Sequence, residues 1–509
     1  MKVNQEKREQ NAQEDIGLYR RWIKQHYELQ ARPERAADPS LLTLIVIYGK
    51  GEAGDVELTA VSVVTQTTVP RILVAAEDMS CVRQGLETPK VDTMLILRAG
   101  DLLLNGALET MYEAAQLNPG SVVYADHDFQ GSDGLPERPY FKGKFNQRLT
   151  YDDPLWLGPC MMNAAAVRVL MDAYEVESPE QLNALAALVA PKVNHVGVLA
   201  TRLRRERPSL NGWEVRSLLR ATGRHGEVVS AVEGRSRVQW CIEPPYSKVS
   251  IIVPFRDRAD LLNVCLDGLR STTYPQKEII LLDNGSRETR TRRLLANLSG
   301  DYVIIREEGV FNFSRLINRG AVSATGDLLL FLNNDIEVTD PTWLDEMVAE
   351  VKQPGVGAVG ARLLYPNGLV QHAGVVLGMG VVAGHEHRLY GLDEGGYQGL
   401  LLAARECFAV TGACMLTRRE AFEAVGGMDP RFATNFNDVE YCARLAAMNW
   451  QVIVTPHATL VHKESQTRRR GTTQWEVEAF RQAVPMQSDP YYSGRFAKTE
   501  PGYTLAWEE

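Results

Sequence analysis

A chain of 509 residues, 45% of them hydrophobic, can bury more than one core, and roughly two or three domains are expected at this length. The formal net charge of −9 argues against a general nucleic-acid binder, because basic residues occur only in local clusters. Seven cysteines, scattered and without a CxxC, argue against a disulfide framework or a zinc ribbon and for a reducing compartment.

The opening MKVNQEKREQ is polar and charged, unlike a secretory leader. No apolar run reaches the ~18 residues of a membrane span; the nearest, 373–384, is short and glycine-rich. A soluble, cytoplasmic protein is the expectation, with peripheral contact at the inner face of the membrane left open. Residues 1–40 read as an arm containing one helix, since Ile16, Tyr19, Ile23 and Tyr27 recur at helical spacing among Arg20, Arg21 and Lys24. Such a helix lies on an anionic membrane or packs its apolar stripe on the protein body, and the second reading is preferred.

From Leu41 to about Arg168, the runs LLTLIVIY, RILVAA, TMLILR and SVVYAD alternate with helical patterns such as 106–116. That alternation indicates an α/β domain with a largely parallel sheet. Residues 170–245 read as helix-rich and end in the turn-prone Glu243-Pro244-Pro245. The alternation then restarts with KVSIIVPF (248–255), a helix over 259–271, KEIILLD (277–283), a helix over 313–324 and DLLLFL (327–332). Asp340-Pro341 opens another helix, with Asp as N-cap and Pro in the first turn. The two halves read as a diverged repeat.

In open parallel sheets, ligands bind beyond the carboxyl ends of the strands. Three acids stand at such places. Asp283 ends KEIILLD; it can accept from a base N–H or a ribose hydroxyl, or close an Asp-Asn-Gly turn. Asp335, in FLNNDIEV (331–338), offers oxygen to a hard cation such as Mg²⁺ or Mn²⁺, or ends its strand in an Asx turn. Asp438, in FNDVEYCARL (436–445), stands at a helix start as a general base or a cap, while Glu440 and Arg444 have the spacing of a surface pair. His372, His385 and His387 lie in and beside the glycine-rich stretch 374–399. They lack the spacing of a zinc protease, and the stretch reads as a flexible lid.

A resemblance joins these places. The stretches VSIIVPFRDR (249–258), TTYPQKEIILLDNGS (272–286), FNFSRLINRGAVSATGDLLLFLNND (311–335) and VQHAGVVLGMGVVAGH (370–385) resemble family-2 glycosyltransferases of the GT-A fold. AVTGACMLTRREAFEAVGGMDPRF (409–432), FNDVEYCARL and TPHATLVHKESQTR (455–468) continue the match in the same order. The likeness is greatest to bacterial, often rhamnosyltransferase-like, members that build surface polysaccharides. It implies that Asp438 is the catalytic base and that Asp283, Asn333 and Arg468 contact the donor nucleotide. It also implies that Asp335 and His462 hold Mg²⁺ or Mn²⁺, Asn333 standing where the first aspartate of the DxD element is usual. Asn334, Glu440 and His385 would line the site. The activity implied is an inverting transfer from a UDP-, dTDP- or GDP-sugar to a glycan or lipid-linked glycan in O-antigen or similar biosynthesis.

Residues 41–205 resemble the upstream module found in the same subgroup, with YADHDFQGSDGLPERPYFKGKFNQRL (124–149) as the matching stretch. The fold class implied is α/β, with two GT-A-like (Rossmann-like, nucleotide-diphospho-sugar transferase) modules in tandem and the second complete. The boundaries read as an arm (1–40), a degenerate module (41–175), a helical connector (176–245), a catalytic domain (246–480) and a tail (481–509). Aligned on the strand, Arg98 and Gly100 replace the two aspartates of the metal element and Asp101 falls one step out of register. No Asp-x-acid pair followed by arginine lies between Glu177 and Asn194, and Arg98 would repel a cation, so this module is expected to be inert. Asp126 and Asp128 read as surface-loop carboxylates. The competing class is a non-catalytic glycan-binding or scaffolding protein. A nucleotidyltransferase would need a glycine-rich basic phosphate loop, and a dehydrogenase a GxGxxG; neither is present.

Overall fold

Runs of Ile, Val and Leu that are apolar on both faces build the central strands of two sheets, as parallel strands covered on both sides require. VSIIVPF is buried at every position, and TLIVIY at all but its last. The computed structural model describes residues 15–24, 43–66, 72–88, 90–204, 210–231, 235–298, 300–463, 472–485 and 488–506. Two compact units emerge: Met1–Val238 with Leu505–Glu509, and Gln239–Thr504.

The sheet of the first unit runs Ile72–Ala76, Thr43–Tyr48, Thr93–Arg98, Cys160–Asn163, Val122–Gln130, Val193–Leu203, Leu102–Leu103. That of the second runs Tyr302–Arg306, Lys277–Asp283, Val249–Phe255, Leu328–Leu332, Cys414–Arg418, Val356–Leu364, Gln451–His462, Ile336–Val338. Apart from the outer strand Tyr302–Arg306, order and directions are the same in both. In the second unit, alternate residues of Val249–Phe255 enter opposite cores. Ile252 meets Leu316 and Ile317 of the helix Phe313–Ser323, while Ile251 and Val253 meet Leu262 and Leu266 of Ala259–Ser271.

Several expectations change. The stretch 176–245 is not a connector, because Val193–Leu203 pairs in parallel with Val122–Gln130 and so completes the first sheet. The strands Gly226–Ser230 and Ser236–Trp240 follow, and the first unit reaches Val238. Asp126 and Asp128 are not surface-loop residues: they lie on a strand, 1% and 0% exposed. Asp126 accepts from the Lys142 backbone N–H and from His195 Nε2, at 2.9 and 2.8 Å. Asp128 accepts from Nε and Nη2 of Arg202, both at 2.9 Å, and from Tyr19 Oη at 2.8 Å. Buried carboxylates need such partners. Tyr19 belongs to the helix over 15–24, whose Tyr19 and Trp22 are buried against the first unit; Tyr27 lies outside the described residues. The helix after Asp340-Pro341 starts at Trp343 with Thr342 as N-cap, and Asp340 instead accepts the Thr342 N–H at 2.9 Å.

The metal corners of the two units also align differently from the strand-based reading. In the second unit Asn333-Asn334-Asp335 separates Leu332 from the short strand Ile336–Val338, and Ile336 pairs with His462. In the first, Ala99-Gly100-Asp101 separates Arg98 from Leu102–Leu103, and Leu102 pairs with Arg202. Asp101 is therefore in register with Asp335, and Arg202 takes the place of His462. Arg98 matches Leu332, not an acid of the metal element.

The stretch expected as a flexible lid carries the strands Val375–Leu377 and Ala383–His385 and is tied down by the C-terminal segment. Leu377 N–H donates to Asp489 Oδ2 at 2.9 Å, Gly380 N–H to Lys498 O at 2.9 Å and His387 N–H to Pro501 O at 2.8 Å. His387 is fully buried and its Nε2 accepts the Tyr397 N–H at 3.0 Å. Burial pushes this imidazole down to about 4, against the pull of Glu386 and with help from Arg405. An unfolded chain therefore takes up this proton at a higher pH than the folded one. The associated stability is present above about pH 6.5 and is lost as pH falls through 4, amounting to about 3 kcal/mol. In urea denaturation at pH 7 and pH 4.5, His387→Gln should show a smaller acid-induced loss than the wild type; equal losses refute the assignment.

Candidate active site

The site grows from the carboxyl ends of two parallel neighbours, Val249–Phe255 and Leu328–Leu332. The second is buried throughout, so the chain leaves the core at Asn333 and turns there, with Asn333 N–H held by Ala413 O at 2.9 Å. The Ile336–His462 ladder pair then brings two groups distant in sequence together. His462 Nε2 lies 3.1 Å from Asp335 Oδ1 and 3.3 Å from Asn333 Nδ2. On its far side, His462 Nδ1 meets Gln371 Oε1 at 2.7 Å, and Gln371 Nε2 returns to the His462 carbonyl at 3.5 Å. Gln371 thus assigns the proton to Nδ1 and turns the Nε2 lone pair toward Asp335. A lone pair and a carboxylate oxygen at that separation repel unless a proton or a cation lies between them. A hydrogen bond behind the ligating histidine is also the usual support of a metal site. Among the described residues no group of three or more His, Cys, Asp or Glu gathers as a metal cage. Asp335 Oδ1 and His462 Nε2, 3.1 Å apart, together offer an oxygen and a nitrogen of the kind a divalent cation accepts.

Asp438 is the second residue of the helix Asn437–Ala447, entered through Phe436 in the left-handed region at φ 61°. The cap is thus Phe436, and the Asp438 carboxylate is turned to other partners. Its Oδ2 accepts the Gly412 N–H and its Oδ1 the Val439 N–H, both at 2.9 Å. Gly412 permits that approach: a Cβ there would meet Phe313 Cε1 at 3.2 Å and Asp438 Cβ at 3.6 Å. Two backbone donors fix the carboxylate's direction and leave lone pairs for a hydroxyl.

A cleft of about 670 Å³ gathers Asp438, Asp335, Asn333, Asn334, His462 and His385 on its lining. This size is in the range of small-molecule sites. His385 Nδ1 lies 2.9 Å from Nδ1 of the fully buried His372, whose Nε2 accepts the Thr411 N–H at 3.4 Å. Burial, with His385, Arg405 and His462 nearby, holds His372 well below the usual histidine range, so its Nδ1–H is the donor to His385.

Other expected site residues lie elsewhere. Asp283 is buried and outside the cleft lining: Oδ1 accepts the Ser286 N–H and Oδ2 the Arg306 guanidinium, each at 2.7 Å. The turn reading describes that geometry, although its register partner Phe255 lines the cleft. Glu440 is buried and gripped by Arg444 at 2.7 and 2.8 Å, so it is neither a surface group nor part of the cleft. Arg468 lies outside the described residues. Gln371 and Arg388, which line the cleft, carry no spacing signal. Their partners His462 and Glu500 are 91 and 112 residues away.

The cleft lies beyond the carboxyl ends of parallel strands, where open α/β sheets bind ligands. Residues 250–426 match the family model for glycosyl transferase family 2. The chain is 41% identical over 298 residues to the O-antigen biosynthesis protein RfbC of Myxococcus xanthus, covering 56% of this chain and 23% of that protein. It is 31% identical over 445 residues to an uncharacterized protein of Sinorhizobium fredii, covering 82% of this chain and 49% of that one. Over 224 residues it is 23% identical to the N-acetylglucosaminyl-diphospho-decaprenol L-rhamnosyltransferase of Mycobacterium tuberculosis, covering 40% and 72%. The chain thus spans less than half the length of the first two relatives. The stretch that matches the glycosyl transferase family 2 model lies within the second unit.

Proposed function

We propose that the second unit transfers a sugar, with inversion, from a nucleotide-diphosphate donor to a hydroxyl of a bacterial surface glycan or its lipid-linked precursor. The observation that carries this reading is the gathering of Asp335, His462 and Asp438 on one cleft. Asp438 accepts the proton of the acceptor hydroxyl as that oxygen attacks the anomeric carbon from the face opposite the nucleotide. No covalent intermediate is required, and none of the roles calls for a second nucleophile. Asp335 and His462 would hold Mn²⁺ or Mg²⁺, which offsets charge on the departing diphosphate. The names of the Myxococcus and Mycobacterium relatives support a surface-glycan acceptor carried on a lipid diphosphate.

The first unit, in this reading, is a GT-A-like counterpart that does not transfer. Asp101 is in register with Asp335, but its carboxylate accepts the backbone N–H groups of Arg98 and Arg204 at 3.0 and 3.3 Å. Arg202, where His462 would be, is committed to Asp128. An acid does stand at the position of Asp438: Glu180, second in the helix Pro179–Val189. Arg98 grips it at 2.7 and 2.5 Å, and the space they line is about 20 Å³, room for a water molecule and no sugar.

The test is nucleotide release from a panel of UDP-, dTDP- and GDP-sugars with Mn²⁺ or Mg²⁺, with and without glycan acceptors. Wild-type protein should release nucleotide in an acceptor-stimulated manner. Asp101→Asn should stay within about twofold of it, as expected away from the reacting groups. Loss of activity in Asp101→Asn at unchanged melting temperature assigns work to the first unit and overturns its reading as inert.

A further inference from the structure

The C-terminal segment, well past the residues matched by the family model, reaches the cleft wall. Glu500 Oε2 accepts from Arg388 Nη1 at 2.9 Å, and Glu500 Oε1 accepts the His385 backbone N–H at 3.1 Å. Arg388 and His385 both line the cleft. A second edge of the Arg388 guanidinium is fixed by Nε–H donation to Tyr365 Oη at 2.8 Å, with the ring centroid 5.9 Å away. The Arg388 side chain is 39% exposed and lines the cleft, so the fork is held on two edges and remains accessible. Because Glu500 balances its charge, the pair offers directional donors with little net field, which suits hydroxyl groups better than a polyanion.

Position in the sheet separates this pair from Phe255 and Arg256, which line the cleft at the end of Val249–Phe255. Tyr365 follows Val356–Leu364, three strand spacings from Val249–Phe255, or about 14 Å. Phe255 and Arg256 line the cleft at the end of the latter strand, while the corner Asn333–Asp335 crosses toward this pair, because Ile336 pairs with His462 one strand from Leu364.

We propose that Arg388 binds hydroxyls of the acceptor glycan and that Glu500 is the residue that positions it. This rests on the transferase reading of the same cleft. The carboxylate acts through Arg388 and through the His385 backbone, so the segment around Glu500 is a working wall of the site.

The full chain is titrated with octyl glycosides of hexoses and 6-deoxyhexoses, followed by saturation-transfer NMR. In parallel it is titrated calorimetrically with UDP, dTDP and GDP in the presence of Mn²⁺. Arg388→Ala and Glu500→Ala should each weaken glycoside binding about tenfold, the loss expected for a charge-assisted hydrogen bond, with nucleotide binding within about twofold of wild type. The double variant should be no weaker than Arg388→Ala alone, because the two residues act as one unit. A full additive loss in the double variant, unchanged glycoside binding, or an equal loss of nucleotide binding overturns the assignment. Wild-type protein that binds nucleotide and none of the glycosides overturns it as well, leaving the donor reading in place; binding of neither overturns both.

Discussion

Asp438→Asn is expected to lower sugar transfer by about a thousandfold while nucleotide binding persists, the scale of a lost general base. The amide cannot take up the acceptor proton, whereas its oxygen still accepts one of the two backbone N–H groups that hold the native carboxylate. One hydrogen bond is lost, worth about 1 kcal/mol, so the melting temperature should move little. Single-turnover nucleotide release beside calorimetric binding of the nucleotide separates the two effects. Transfer within about tenfold of wild type would show that another group takes the proton.

Asp335→Ala is the second large effect. It should reduce transfer by about a hundredfold or more and remove the tightening of nucleotide binding by Mn²⁺, since it deletes the one charged oxygen at the corner. His462→Ala should fall between it and the wild type, because in the proposed site the imidazole would share the cation with Asp335. The decisive comparison is the nucleotide Kd with and without Mn²⁺ in each variant. An undiminished Mn²⁺ effect in Asp335→Ala moves the metal elsewhere.

The strands of the second unit could be read from their residues because seven or fewer consecutive apolar side chains bounded by turn formers leave little choice of structure. Asp335 reaches the cleft from a strand end and Asp438 from a helix start, positions that their strands and helix make legible. Asp283 and Glu440, at comparable positions, are instead buried against arginines. What failed was register. Leu102–Leu103 is too short to show a period, so Asp101 could not be counted from the strand it precedes. Asp126 and Asp128 looked like loop acids because their hydrogen-bonding partners His195, Arg202 and Tyr19 are between 69 and 109 residues away. Asp283 had the same difficulty: its partner Arg306 sits on the neighbouring strand, and only the paired sheet reveals the contact.

The ion pair between Arg98 and Glu180 makes each residue costly to replace without the other. Replacing Arg98 alone strands a nearly buried carboxylate, and replacing Glu180 alone strands a largely enclosed guanidinium. Either single step costs about 3 kcal/mol, a large share of a domain's stability. A route back to an acid free to act therefore crosses a less stable intermediate, whichever residue changes first. On the proposed reading, the inactivity of this half is held in place by its own folding energy.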